Sequence, residues 1–187
     1  MERIEGATKT TDNRFLNMYE LQAVQRDGTK FPYQVASRAK TVEDLRAISG
    51  KHTADAVAIF ALYEDKIVLI RQFRYPVGDY IYELPAGLID GDETIYEAAK
   101  REMFEETGLA LTPQNTPHSD RPYFSSPGMT DETCSIVFGT CSGEPTNLNQ
   151  EASEDIQVIL VDRDECIRIL AEEKLDMRTA LMLRMVI

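Results

Sequence analysis

Three glutamates crowd one helical turn in the stretch REMFEETG, Arg101 to Gly108: Glu102, Glu105 and Glu106. The preceding TIYEAAK reads as helix, and Gly108 is the residue type that most cheaply takes the left-handed conformation at a helix end. At about 100° per residue, Ile95, Ala98, Ala99 and Met103 share one apolar stripe. Glu102 and Glu106 fall inside that stripe, Glu105 on its border, and Phe104 on the opposite side. Carboxylates aimed into a core lose hydration and repel one another. Both effects raise a pKa, so the cluster must bind protons or be matched by positive charge. Arg101 is the nearest covalent cation, yet its position points it away from the centre of the stripe. A divalent cation is the economical partner, and oxygen donors without a nearby His or Cys select a hard ion, Mg2+ with Mn2+ as substitute. The competing reading, a solvated acidic face, would bury Phe104 alone and leave Ile95, Ala99 and Met103 in water.

The elements that must hold this helix are strands. FLNMYELQAV and KFPYQVAS flank a turn at Arg26-Asp27-Gly28-Thr29 and form a candidate accessory sheet over residues 14 to 37. ADAVAIFALY and KIVLIRQF, parted by Glu64-Asp65, read as a hairpin of buried strands. A short strand, YIYEL, leads through Pro85-Ala86-Gly87 to the helix, with Asp92 expected as its N-cap and Glu93 in the first turn. Beyond Gly108 come a Pro-rich stretch, SSPGMTDE, a strand at Cys134 to Cys141, a polar loop from Ser142 to Asp155 and the strand IQVILV. Two helices follow, RDECIRILAEEK with apolar Ile167, Leu170 and Ala171, and DMRTALMLRMVI. Strands mixed with helices in this irregular order predict an α/β sandwich and not a doubly wound sheet.

A chain of 187 residues with 43% hydrophobic and 28% charged residues can bury one main core with a short accessory segment. A formal charge of −12 and a pI near 4.6 exclude a surface built to neutralise nucleic acid or anionic lipid. An anionic small substrate requires a local arginine cluster or a bound cation. No apolar run approaches ~18 residues and MERIEGATKTTDNRF lacks an apolar leader core, so a cytoplasmic protein without a membrane partner is expected. Cys134, Cys141 and Cys166 are an odd number in no metal-ligand spacing and read as reduced, packed thiols. His52 and His118 are isolated and carry no assigned role.

Read from Gly87, the helix carries a longer pattern. In GLIDGDETIYEAAKREMFEETGL, Gly87 is followed after five residues by Glu93. After seven further residues come Arg101-Glu102, then apolar Met103, Glu105-Glu106 and Gly108-Leu109. This is similar at every defined position to the Nudix box, the signature of hydrolases of nucleoside diphosphates linked to another moiety. The resemblance implies an α/β/α sandwich with a mixed sheet, here residues 51–187, preceded by a small N-terminal antiparallel β-sheet in residues 1–50. It implies Mg2+ held by Glu102, Glu105 and Glu106, with the backbone carbonyl of Ala86 as a further ligand, a place where small residues let the backbone approach an ion. It also implies that Glu93 and Arg101 pair structurally, tying loop to helix without a part in the chemistry.

Beyond the box, YQVASR, ADAVAIF, LIRQFRYP, YELPAGLID, SSPGMTDE and SEDIQV resemble the ADP-ribose pyrophosphatase branch in order and spacing. Ser126-Pro127-Gly128 downstream of an intact box is the most specific of these elements. The resemblance implies hydrolysis of ADP-ribose to AMP and ribose 5-phosphate, with Arg74 and Arg38 contacting substrate, for which a guanidinium fork suits phosphate oxygens. Phe15 and Tyr33 match positions of aromatics that stack on the base, the alternative being core residues of the first sheet. The N-terminal sheet would help form a homodimer. A loop matching NQEASEDI would supply the carboxylate that takes the proton of the attacking water. Glu154 is the closest match for that base or for a completing metal ligand. Glu151 is the runner-up, because Ala152 stands where some members place the base, and Asp155 is expected to be structural. Another nucleoside diphosphate sugar such as GDP-mannose is the rival substrate, and a non-hydrolysing ADP-ribose sensor is the rival of another class.

Overall fold

The computed structural model describes residues 3–117, 120–150 and 154–187. Two compact units divide the chain, one of residues 1–55 with 122–134 and one of residues 56–121 with 135–187.

The first unit is built on a three-stranded antiparallel sheet, in the order β1 (Ile4–Lys9), β2 (Asn17–Val24) and β3 (Lys30–Ser37). β2 and β3 pair without a slip from Asn17 opposite Ser37 to Val24 opposite Lys30. The expected turn closes them, with Gln25 donating to Thr29 O at 2.7 Å and Gly28 at φ 91°, a conformation that glycine takes without strain. Alternation along β2 buries Tyr19, Leu21 and Ala23, and the first two pack with Val35 and Leu45. β1 was not expected, since IEGATK shows no clean apolar alternation. A one-turn helix, α1 (Arg46–Ser49), follows. The later segment of this unit holds β9 (Tyr123–Phe124), which pairs with the first residues of β10 (Thr133–Ser142). Between them the SSPG turn lies along β3, where Ala36 N–H donates to Met129 O at 2.9 Å.

The second unit carries the larger sheet, in the order β11-β5-β4-β10-β8, with β6 on β5 and β7 on β4. Its strands are β4 (Ala56–Tyr63), β5 (Lys66–Arg74), β6 (Asp79–Glu83), β7 (Ala86–Leu88), β8 (Ala110–Pro113), most of β10, and β11 (Ile156–Val161). β4 and β5 form the predicted hairpin at Leu62 opposite Ile67 and Tyr63 opposite Lys66, then part to pair with β7 and β6. Helix α2 (Ile95–Thr107) packs on β4, β7 and β8. Its Ala98, Ala99 and Met103 are wholly buried with Val57, Ile59, Val68 and Val137, each of the larger side chains contributing about 1.5–3 kcal/mol. Helices α3 (Arg163–Glu172) and α4 (Met177–Val186) pack on β11 and β6. Val68, Leu69 and Ile70 are all buried to completion, so the sheet is covered on both faces, the α/β/α sandwich with a mixed sheet that was expected.

Two local expectations are corrected. Thr94, not Asp92, caps α2: its side chain accepts from Glu97 N, and the Glu97 carboxylate accepts from Thr94 N, a reciprocal capping box. In α3 the buried face is Cys166 and Ile169, while Ile167 is exposed. The three cysteines are free, with Cys134 and Cys166 buried and Cys141 partly so, and burial pushes the Cys141 thiol up to about 11, in keeping with reduced, packed thiols. Among the described residues no helix is long and apolar enough to cross a membrane.

Candidate active site

In the second unit, Gln72, Arg74, Ala86, Gly87, Arg101, Glu102, Glu105, Glu106 and Glu154 are among the residues that line one pocket of about 250 Å3. The helical reading of α2 holds: Glu102 is 9% and Glu106 2% exposed, whereas Phe104 is 52% exposed. Ala86 is fixed from several sides. Pro85 O accepts from Ile59 N at 2.8 Å, Leu84 N donates to Thr179 Oγ1 of α4 at 2.9 Å, and Ala86 N itself donates to Glu106 Oε2 at 3.0 Å. A Cβ on Gly87 would overlap the carboxyl carbon and both oxygens of Glu102, so only glycine lets β7 lie against that carboxylate.

Burial raises the pKa of Glu106 well above the usual carboxylate range, and the neighbouring Glu102 adds to it. Glu102 is raised as well, by burial first, with Arg101 opposing. Arg101 is the departure from expectation. Its long side chain reaches back over the stripe and donates to Glu102 Oε1 at 2.7 Å and to Glu105 Oε2 at 3.0 Å, while gripping both oxygens of Glu93 at 2.9 Å. Its Nη2 also donates to Leu88 O at 2.9 Å, tying the loop before the helix to the helix. This guanidinium therefore supplies part of the positive charge that the carboxylates require.

Among the described residues no three His, Cys, Asp or Glu side chains converge closely enough to hold an ion by themselves. The donor chemistry nevertheless suits a hard divalent cation: carboxylates of Glu102, Glu105, Glu106 and Glu154 and the Ala86 backbone around one pocket, two of them with raised pKa, and no nitrogen or sulfur ligand. A cation would take over from Arg101 the neutralisation of Glu102 and Glu105.

Arg74, on the same face of β5, donates from Nε to the buried Glu83 carboxylate at 2.6 Å. Glu83 and Gln72 were not singled out from the sequence, and the available signal was a polar residue within each of two apolar strands. The polar loop after β10 is docked on the C-terminus of α2. Thr146 N donates to Thr107 O at 2.8 Å, and Gln150 Nε2 to Glu106 O at 2.8 Å and Ile156 O at 3.2 Å. These contacts satisfy carbonyls that a helix end leaves free. Gly108, at φ 74°, both caps the helix and leaves room for Thr146. Asp155 is structural as expected: its carboxylate accepts from Tyr80 OH and its carbonyl from Phe73 N. Glu151, the alternative base, lies outside the described residues, as does His118.

In the first unit, Arg38 donates from Nε to Glu132 Oε2 at 2.7 Å and lines a pocket of about 280 Å3 with Lys40, Arg46 and Asp131. Tyr33 donates its hydroxyl to Gly128 O of the SPG turn at 2.8 Å and is partly exposed. Phe15 is 65% exposed under the Arg14 guanidinium. Neither ring is a core residue.

A model of the NUDIX domain matches residues 52–182. The chain belongs to the Nudix family. It is 38% identical over 120 residues to a Caenorhabditis elegans protein named as a Nudix hydrolase, the match covering 59% of this chain and 53% of the relative, so the chain spans about half the length of that relative. It is 29% identical over 157 residues to the ADP-ribose pyrophosphatase of Escherichia coli (strain K12), covering 79% of this chain and 73% of that one. Among solved structures, the crystal structure of an ADP compounds hydrolase shares the fold at a TM-score of 0.69 and 20% identity, over 98% of this chain and 91% of the other. The Nudix box is thus the segment from Gly87 to Leu109, spanning β7, α2 and the residue after its glycine cap.

Proposed function

We propose that this Nudix protein hydrolyses the pyrophosphate bond of ADP-ribose to AMP and ribose 5-phosphate, with Mg2+ as its ion and Mn2+ as substitute. The observation that carries the proposal is the buried Glu102 and Glu106 pair beside Ala86 and Gly87, in one pocket with Arg74. Glu102, Glu105 and Glu106, the Ala86 carbonyl and Glu154 are the groups assigned to hold the ion. When bound, it neutralises diphosphate oxygens and orients them for in-line attack on phosphorus.

The remaining tasks fall to this chain's side chains. Arg74 binds phosphate oxygens through its guanidinium, held in place by Glu83. Glu154 takes the proton of the attacking water, with Glu151 as runner-up. Arg38, Phe15 and Tyr33 are assigned to substrate binding on the branch resemblance, and the exposure of both rings leaves them free to stack. A cytoplasmic homodimer formed through the N-terminal sheet completes the proposal. Support for the ADP moiety comes from the E. coli relative and from the SPG turn beneath Tyr33.

A substrate panel tests this reading. With Mg2+ present, kcat/KM should be highest for ADP-ribose among ADP-ribose, ADP-glucose, GDP-mannose and a nucleoside triphosphate. A preference for GDP-mannose would retain the carboxylate site and discard the adenine assignment. Binding of ADP-ribose without turnover of any member would favour a sensor.

A further inference from the structure

The amide oxygen of Gln72 is buried and has no hydrogen-bond partner. Gln72 is 9% exposed and lines the pocket of Glu102, Glu106 and Glu154. Its direction follows from the strand: Val68, Ile70, Gln72 and Arg74 share one face of β5, and Val68 of that face packs against α2. Its backbone sits in the ladder, opposite Ile81 of β6 and Ile156 of β11, so the residue cannot turn away without breaking the sheet. Buried polar atoms in folded proteins are almost always paired, and an unpaired one destabilises the fold.

With a divalent cation bound, Glu102, Glu105, Glu106 and Glu154 are ionised and can only accept. The Arg74 Nε is engaged with Glu83, and the Arg101 guanidinium is spread over Glu93, Glu102, Glu105 and Leu88 O. None of these contacts pairs the Gln72 amide oxygen, and a donor from outside the chain can. A water in the hydration shell of a divalent cation has its lone pairs turned to the ion and both hydrogens turned outward, so it is such a donor.

We propose that Gln72 is a positioning residue of the carboxylate site, its amide oxygen accepting a hydrogen bond from a water in the hydration shell of a divalent cation held there. The inference rests on the divalent-cation reading of the pocket. Side chains that orient the surroundings of a metal in this way typically affect its affinity by ~10–100-fold.

The test is Mn2+ titration of the metal-free protein, followed by the loss of the free-ion paramagnetic resonance signal, together with thermal melts without metal. Gln72→Met keeps the side-chain length and deletes the amide. It should weaken Mn2+ binding by ~10-fold or more while raising the melting temperature of the metal-free protein by ~2–4 °C, because an unpaired buried oxygen is removed. Gln72→Glu keeps an acceptor oxygen and should bind Mn2+ at least as tightly as wild type. Unchanged affinity in Gln72→Met, equal weakening in both variants, or a lowered melting temperature for Gln72→Met would each overturn the assignment. Failure of the wild-type protein to bind Mn2+ would instead remove the cation reading itself, and the Gln72 inference with it.

Discussion

The carboxylate of Glu106 accepts a hydrogen bond from the backbone N–H of Ala86 at 3.0 Å, across twenty residues of chain. That contact joins the end of α2 to the start of β7, so the Nudix helix and the strand before it cannot move independently. It also opposes the burial that raises the Glu106 pKa, without offsetting it. A buried carboxylate in this state must take up a proton or be matched by positive charge, and the same contact fixes the Ala86 backbone beside it.

Gly87→Ala should separate function from stability. The three atoms nearest to an added Cβ are the carboxyl carbon and oxygens of Glu102, the end of a flexible side chain, so the melting temperature should fall by no more than ~2–4 °C, the equivalent of about 1 kcal/mol. The displaced carboxylate is lost to the site, and turnover of ADP-ribose should drop by ~10–100-fold, the scale of effects that misplace metal-site groups. Melts and steady-state rates on one preparation decide this.

Glu93 gives a pH signature. The Arg101 guanidinium and the backbone N–H of Asp90 hold its carboxyl down at about 2, against an ordinary value of 4.5. A depressed folded-state pKa contributes stability that is fully present above the unfolded value and lost as pH falls through the folded one. Metal-free Glu93→Gln should therefore melt below wild type by a constant margin above about pH 4.5, and the margin should close as pH approaches about 2. Parallel thermal melts across that range measure it.

Gln150→Ala removes the clip between the loop and α2, two hydrogen bonds at 2.8 and 3.2 Å. At about 1 kcal/mol each, stability should fall by about 1–2 kcal/mol. Because the same loop leads to Glu154, kcat should fall more than KM rises, and rates measured over a substrate series separate the two.

Glu154→Gln keeps the size of the side chain and removes its basicity. Under the proposed roles, kcat falls by ~10^2–10^4-fold with little change in KM. Glu151→Gln should cost far less, and the opposite ranking would transfer the base to Glu151.

Much of this site was legible in residue order because a helix converts spacing into direction. Ile95, Ala98, Ala99 and Met103 defined a face, and Glu102 and Glu106 could only lie within it. The strand β5 was equally plain, since a continuous β-branched run marks a strand buried on both faces. Arg101 was misjudged because a helical wheel locates the Cα and not the end of a four-bond side chain, which folded back over the stripe. Asp92 and Thr94 both suit the cap by residue type, and the Thr94 to Glu97 spacing of a capping box decides between them. β1 escaped because IEGATK has too few apolar residues to show a period, and its pairing is set by the backbone of β2. Gln72 and Glu83 show in the sequence only as polar residues within apolar strands, and their contacts, like those of Gln150, form only when separate strands and loops meet.

The most direct measurement is product identification after incubating the protein with ADP-ribose, in Mg2+ and in chelator, alongside Glu102→Gln and Glu106→Gln. The wild type in Mg2+ should give equimolar AMP and ribose 5-phosphate, none should form in chelator, and either variant should give little. Equal turnover in chelator, or full activity in Glu106→Gln, would contradict the proposed function.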